Sequence, residues 1–268
     1  AEAHQLSFYQ EKIYRQFLPW RYNLKSPIVA ANWKMNLTID EGLELVKQIL
    51  DSSSPDSSEI IFFPPSIILS AICGELKNTG YKIGIQNIHH EESGAYTGEI
   101  SAGMVKSLDV QYAIIGHSER RQYFLETDLQ VNGKIKSALG AGLCPVVCVG
   151  ESLDERESGK TNEILKKQLM SAFNNIDNKL DRLVVAYEPV WAIGTGKSAD
   201  SNQVYDAHNF INEILQSLFE NHIPILYGGS VKAENASELY EIKNVDGFLI
   251  GGASLQSESF CQIIKNVT

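Results

Sequence analysis

The chain has no long apolar run, no basic excess and few cysteines, and each shortage removes a class of protein. No uninterrupted hydrophobic stretch approaches the roughly 20 residues that cross a bilayer, and the opening residues lack the apolar segment of a secretory leader. A soluble, cytoplasmic protein with no membrane partner is expected. Acidic side chains outnumber basic ones 33 to 23, for a formal charge of −10, and no Lys/Arg run supplies a nucleic-acid footprint. Nucleic acid is therefore not an expected partner. Four cysteines in 268 residues do not form a disulfide framework. Cys144 and Cys148, in one apolar run, would point the same way from a strand at roughly 13 Å, too far to bridge. With no C-x-x-C pair and no His at ligand spacing from a Cys, a zinc site has little support either. The sequons at Asn36, Asn235 and Asn266 are short enough to arise by chance and matter only in a secreted protein.

What is present is an ordinary globular balance, 43% hydrophobic and 21% charged, with a strong repeat. Val/Ile/Leu-rich runs recur at Ile28–Trp33, Ile60–Phe63, Ile83–Asn87, Tyr112–Gly116, Pro145–Gly150, Leu183–Glu188, Ile223–Tyr227 and Gly247–Gly251. Between them lie segments with helical spacing, such as Leu43, Leu45, Val46 and Leu50, introduced by the capping box Thr38-x-x-Glu41. One helix per gap makes eight strand-plus-helix units over residues 27–268, and continuous apolar runs suit parallel strands buried on both faces. The economical architecture is a single-domain α/β fold, a closed (β/α)₈ TIM barrel. An open doubly wound sheet competes, but the G-x-G-x-x-G after its first strand is missing. Residues 1–26 stand apart as an N-terminal extension whose Leu6, Phe8, Tyr9, Ile13, Phe17, Leu18 and Trp20 form an irregular helical stripe. It is either a short surface helix or an interface element, because so many exposed aromatics would need a cover.

In a parallel barrel the functional face lies at the C-terminal strand ends, so the polar residues standing there carry the chemistry. The first run ends Asn32-Trp33-Lys34, where residues two apart share a face and form a potential anion clamp; taken alone, a solvated lysine beside a turn-forming Asn fits better. The fourth ends Gly116-His117-Ser118-Glu119, with Ser118 placed to cap a helix. His117 then sits at a positive helix end that favours a neutral, hydrogen-bond-donating ring. His4, His89, His90, His208 and His222 read better as incidental surface histidines. The sixth run ends Tyr187-Glu188-Pro189, a carboxylate after apolar positions whose orientation the proline restrains, although a structural ion pair would also explain it. Residues Val190-Trp191-Ala192-Ile193-Gly194-Thr195-Gly196-Lys197 combine an apolar centre with glycines, which suits a lid as well as an ordinary loop. Runs seven and eight end Gly228-Gly229-Ser230 and Gly251-Gly252, where such barrels hold phosphate on backbone amides. Together with Lys34 and the lid, they point to a small phosphorylated ligand.

These motifs, with Asn32-Trp33-Lys34-Met35-Asn36, Ile115-Gly116-His117-Ser118-Glu119-Arg120-Arg121, Ala186-Tyr187-Glu188-Pro189-Val190-Trp191-Ala192-Ile193-Gly194-Thr195-Gly196 and Tyr227-Gly228-Gly229-Ser230, make the chain resemble the triosephosphate isomerase family over residues 27 to about 266. The resemblance implies interconversion of dihydroxyacetone phosphate and glyceraldehyde 3-phosphate, in glycolysis and gluconeogenesis, without metal or organic cofactor. It implies Glu188 as the base and His117 as the electrophile, with Lys34 and Asn32 stabilising developing negative charge. Gly194, Ser230, Gly251 and Gly252 would hold the phosphate, residues 189–199 from Pro189 onward would form the lid, and Glu119 would support Lys34 or His117. A homodimer is implied too, built on the loop Gly94–Ser101, from which Thr97 would reach the partner's active site; Gln86 and Asn87 also match, and Arg120 would join the loop contacts. The first 26 residues have no counterpart in that pattern. The alternative is a catalytically inert phosphate-binding barrel, which the fold alone permits. A different aldose-ketose isomerase or epimerase would call for a metal site or a base on another strand end, and neither is found.

Overall fold

The computed structural model describes residues 26–180, 182–192 and 199–268. Eight parallel strands close a barrel in sequence order: β1 Ile28–Asn32, β2 Glu59–Phe63, β3 Lys82–Ile85, β4 Tyr112–Ile115, β5 Cys144–Val149, β6 Val184–Tyr187, β7 Ile225–Tyr227 and β8 Gly247–Ile250. Closure comes from β1 pairing with both β2 and β8, Ile28 opposite Glu59 on one side and Gly247 on the other. The runs read from the sequence match these strands, most of them extending one or two residues past the last ladder pair. Glu188 and Gly251, two of the expected site residues, stand in that overrun.

The strands' double burial is visible in two apolar clusters. Ala30, Ile61, Phe63, Ile114, Val146, Cys148, Ala186, Leu226 and Leu249 fill the lumen, while their strand neighbours such as Val29, Ala31, Ile60 and Phe62 pack outward against the helices. Period-two alternation thus serves two cores at once. Cys148 lies in the lumen layer with Cys144 packed against it, and all four cysteines are free thiols.

The helices are α1 Ile39–Ser52, α2 Leu69–Glu75, α3 Ala102–Lys106, α4 Ser118–Tyr123, α5 Asp128–Gly140, α6 Leu153–Glu157, α7 Thr161–Ala172, α8 Ser201–Leu218, α9 Ala233–Glu241 and α10 Ser257–Val267. One helix per gap is corrected: β4–β5 and β5–β6 each hold two. The reason is local. The α5 and α6 starts carry their own capping boxes, Thr127/Gln130 and Ser152/Glu155, which begin a helix independently of the strand before. The predicted Thr38/Glu41 box is formed at α1.

His208 also departs from expectation, being fully buried rather than a surface residue. It falls on the inward stripe of α8 with Val204, Ala207, Ile211 and Leu215, so its helical position decided its burial. No helix among the described residues is long and apolar enough to cross a membrane. The helix read over the N-terminal stripe lies outside the described residues.

A buried ionic cluster braces the β4 end. Glu126 Oε2 meets Lys134 Nζ at 2.5 Å and Arg120 Nε at 2.8 Å, its Oε1 accepts from the Gly116 amide, and Lys134 also reaches Asn87 Oδ1 at 2.7 Å. Burial opposes the charge on Glu126, but these cations outweigh it and hold the carboxyl below its ordinary value. Removing one partner of such a cluster strands buried charge, so Glu126→Ala should lower unfolding free energy by about 3–5 kcal/mol in urea titrations. Because the folded carboxyl is depressed below the ordinary 4.5, its contribution is complete above that pH and is lost as pH falls through the folded value. The stability gap between wild type and Glu126→Gln should accordingly shrink below pH 4.5.

Candidate active site

Asn32 and Lys34 meet by a turn rather than by strand alternation. β1 ends at Asn32, whose Oδ1 accepts from the Lys34 amide at 3.1 Å, and Lys34 adopts the left-handed region with φ 53°. Gln86 Nε2 fastens this turn by donating to the carbonyls of both Lys34 and Phe63. The lysine stem then runs past Gly251, where an added Cβ would sit 3.2 Å from Lys34 Cε. Its ammonium meets Glu119 Oε1 at 2.5 Å. A non-glycine residue held at positive φ costs free energy, and such costs concentrate at functional sites.

His117, not Ser118, caps α4. Its Nδ1 accepts from the Glu119 amide at 3.3 Å, which leaves Nε2 as the proton-bearing nitrogen of the neutral ring. Nε2 lies 2.8 Å from Glu188 Oε1, and Glu188 Oε2 accepts from the Ser118 amide at 2.8 Å. Both side chains are almost fully buried. Burial resists charging either group, yet the contact reverses the balance. The Glu188 carboxylate raises His117 above its usual range, with Glu119 adding to it, and His117, the Ser118 amide and Lys34 lower Glu188. The neutral ring expected from the helix end is therefore opposed by Glu188 for as long as that carboxylate stays in place.

Glu188 is clamped by close backbone packing. A Cβ on Gly150 would stand 1.7 Å from the Glu188 carbonyl oxygen, and one on Gly228 would stand 3.0 Å from Glu188 Cγ. Gln168 fixes the Gly150 segment through two hydrogen bonds, to its amide and its carbonyl.

After Glu188 and Pro189, Val190–Ala192 form a single 3₁₀ turn, and Ser230 Oγ donates to the Ala192 carbonyl at 2.8 Å. A residue not singled out in the sequence anchors this turn. Glu151 is fully buried and accepts from Trp191 Nε1 at 3.0 Å, Tyr187 Oη at 3.1 Å and Arg156 at 2.9 Å, while its carbonyl accepts from the Val190 amide. Arg156 also lies 4.7 Å over the Trp191 ring. Arg156 is five residues along the chain, but Tyr187 and Trp191 are brought to Glu151 only by the pairing of β5 with β6. The lid residues Ile193, Gly194, Thr195, Gly196 and Lys197 lie outside the described residues.

One cavity of about 260 Å³ is lined by Asn32, Lys34, His117, Glu188, Ser230, Gly251 and Gly252. Gly251 caps the 3₁₀ turn Gly252–Leu255, and the first amides of a helical turn find no acceptor within it. A second cavity of about 350 Å³ shares Asn32, Lys34 and His117 and continues outward past Gln86, Glu119 and Phe124. Of its lining residues Met35 and Phe124 are 95% and 67% exposed, and Ile67, which follows the lining Ser66, is 81% exposed. Thr97 stands on the exposed loop that runs toward this cavity's Gly98 and Glu99 lining. Arg120 is engaged within the chain, to Glu126 and over the Phe124 ring.

Because Gly150 leaves no room beside Glu188, Gly150→Ala should displace the carboxylate by about 1 Å. A shift of that size lowers turnover on the order of a hundredfold. The measurement is turnover per folded molecule, with circular dichroism reporting the fold.

A model of the triosephosphate isomerase family matches residues 27–267. The triosephosphate isomerase of Alkaliphilus oremlandii is 47% identical over 247 residues, covering 90% of this chain and all of that relative. Those of Clostridium tetani and Endomicrobium trichonymphae are each 43% identical, covering 91% and 90% of this chain and 98% and 99% of theirs. A closed parallel barrel matched along its whole length by such relatives leaves one assignment: the chain belongs to the triosephosphate isomerase family.

Proposed function

We propose that this enzyme interconverts dihydroxyacetone phosphate and glyceraldehyde 3-phosphate through an enediolate, with Glu188 as base and His117 as electrophile. The observation carrying the reading is the 2.8 Å contact between a buried carboxylate and a buried imidazole at a cavity that Lys34 also lines. An inert phosphate scaffold leaves that costly buried pair without use.

Glu188 must leave the Ser118 amide and His117 Nε2 to reach substrate carbon, so the two bonds form a resting latch. On departure His117 loses the main influence that favours its charge and keeps its Nε2 proton as a donor. Glu188 then takes a proton from the carbon next to the carbonyl, the electron pair moves onto the carbonyl oxygen, and His117 donates to that oxygen. The protonated Glu188 returns its proton to the neighbouring carbon, while the ring passes protons between the two enediolate oxygens. General base action of this kind contributes typically ~10²–10⁴ in rate. Lys34 and Asn32 accelerate the reaction to the extent that they hold the enediolate charge better than the neutral carbonyl. Ser230, Gly251, Gly252 and Gly194 take the phosphate, with Glu119 holding Lys34 in line. Residues 189–199 act as the lid, excluding water and preventing elimination of phosphate from the intermediate.

The same reading includes a homodimer. The exposed Met35 and Phe124 line a cavity that shares Asn32, Lys34 and His117 with the catalytic one, and the loop bearing Thr97 is suited to enter that of a partner. Four free thiols accord with a reducing, cytoplasmic setting.

Purified protein should convert glyceraldehyde 3-phosphate, and Glu188→Asp, which withdraws the carboxylate by roughly 1 Å, should lower kcat about a hundredfold or more with little change in KM. Unchanged turnover would remove Glu188 from the role of base. Light scattering should give twice the 29.8 kDa chain mass, and Phe124→Glu should shift it toward the monomer with loss of activity.

A further inference from the structure

Glu188 lines two cavities. Besides the reaction cavity, it borders a separate one of about 310 Å³ that shares no other lining residue with the first and is walled by Gly116, Ser118, Cys148, Gly150 and Gln168. The base is thus a partition, with open space instead of packed side chains next to the backbone that carries it.

That backbone is supported from the end of β5. The Glu188 amide donates to the Val149 carbonyl at 2.8 Å, and Gly150 lies so close against the Glu188 carbonyl that a Cβ has no room there. Regular pairing stops at this point. The last β4–β5 pair is Ile115 with Val147, and the last β5–β6 pair is Val149 with Tyr187. Successive residues of a strand offer their amide and carbonyl to opposite neighbours, so with Val149 turned to β6, Gly150 turns its own toward the side where β4 has already ended. Both groups would be stranded without a substitute, at a cost comparable to a lost hydrogen bond each.

Gln168, on α7, is the substitute. Its Oε1 accepts from the Gly150 amide at 2.8 Å and its Nε2 donates to the Gly150 carbonyl at 3.0 Å. A primary amide presents a donor and an acceptor much as a peptide group does, so this one side chain continues the ladder for a single residue. Gln168 does not line the reaction cavity.

We propose that Gln168 is a positioning residue for the base: by holding Gly150 at both its amide and its carbonyl, it keeps the platform under Glu188 from settling into the space beside it, and so fixes how far the carboxylate reaches toward substrate. The inference rests on the isomerase reading of the site.

Two variants and one double mutant separate this role from support of the fold. Gln168→Leu keeps roughly the same bulk and loses both bonds. With glyceraldehyde 3-phosphate as substrate it should lower kcat on the order of tenfold, part of what a full 1 Å misplacement costs, and leave KM within about twofold. In a Glu188→Asp background, where that reach is already lost, Gln168→Leu should lower kcat by less than about twofold. Gln168→Glu splits the two bonds. Ionised, the introduced carboxyl receives the Gly150 amide but repels its carbonyl oxygen; protonated, it donates to that carbonyl as the glutamine does. Its kcat relative to wild type should therefore rise as pH falls from about 8 to about 5. Wild-type kcat per folded molecule in Gln168→Leu, even with a lower melting temperature, would overturn the proposal, as would an undiminished loss in the Glu188→Asp background. Should Gln168→Leu not fold, Gln168→Glu decides, and a ratio flat with pH overturns it. A wild-type enzyme that fails to isomerise would instead overturn the functional reading itself.

Discussion

The whole site hangs on where one carboxylate is allowed to rest. Glu188 is shut away from water by Gly150 and Gly228 and is tolerated only because a backbone amide and an imidazole receive it. A charge in such a place is expensive without partners, and its partners are supplied by a different strand end, that of β4. The barrel is what makes the two ends neighbours of one cavity. Its closure therefore does electrostatic work: it converts eight separately solvated loops into a single low-dielectric mouth in which the carboxylate is either paired or poised.

Two further carboxylates prop that arrangement from behind. Glu126 ties the β4 end to α5 through Lys134 and to Arg120, and Glu151 ties the β5 end to the turn that follows Glu188. Neither lines the main cavity. Each fixes backbone close to a side chain that lines the cavity, Glu126 beside His117 and Glu151 near Glu188, so the cavity's geometry is set by buried acid groups one layer away. A phosphorylated substrate gains nothing from the overall charge of −10 and meets attraction only locally, at Lys34 and the backbone amides.

What the sequence made legible was whatever local pattern determines. Apolar runs marked the strands, and the strand-end rule picked out Asn32, Lys34, His117, Glu188, Ser230 and the Gly251-Gly252 pair, all of which line one cavity. Capping patterns were legible in principle, and Thr127/Gln130 and Ser152/Glu155 explain the extra helices. Glu151 was not, because two of its three donors, Tyr187 on β6 and Trp191 in the turn beyond it, declare themselves only when the strands pair. His208 was misjudged because residue type outweighed position: it sits in step with Val204 and Ile211 on the buried face of α8. The β1 end was read as plain alternation, whereas the chain turns immediately after Asn32.

That turn sets chemistry and folding against each other at a single position. With φ at 53°, the backbone of residue 34 would be most comfortable as glycine, which alone enters that region freely. A glycine there would carry no ammonium to the cavity. Position 34 is thus a place where the fold surrenders stability to keep a cation, and the two bonds from Gln86 are the compensation that makes the surrender tolerable.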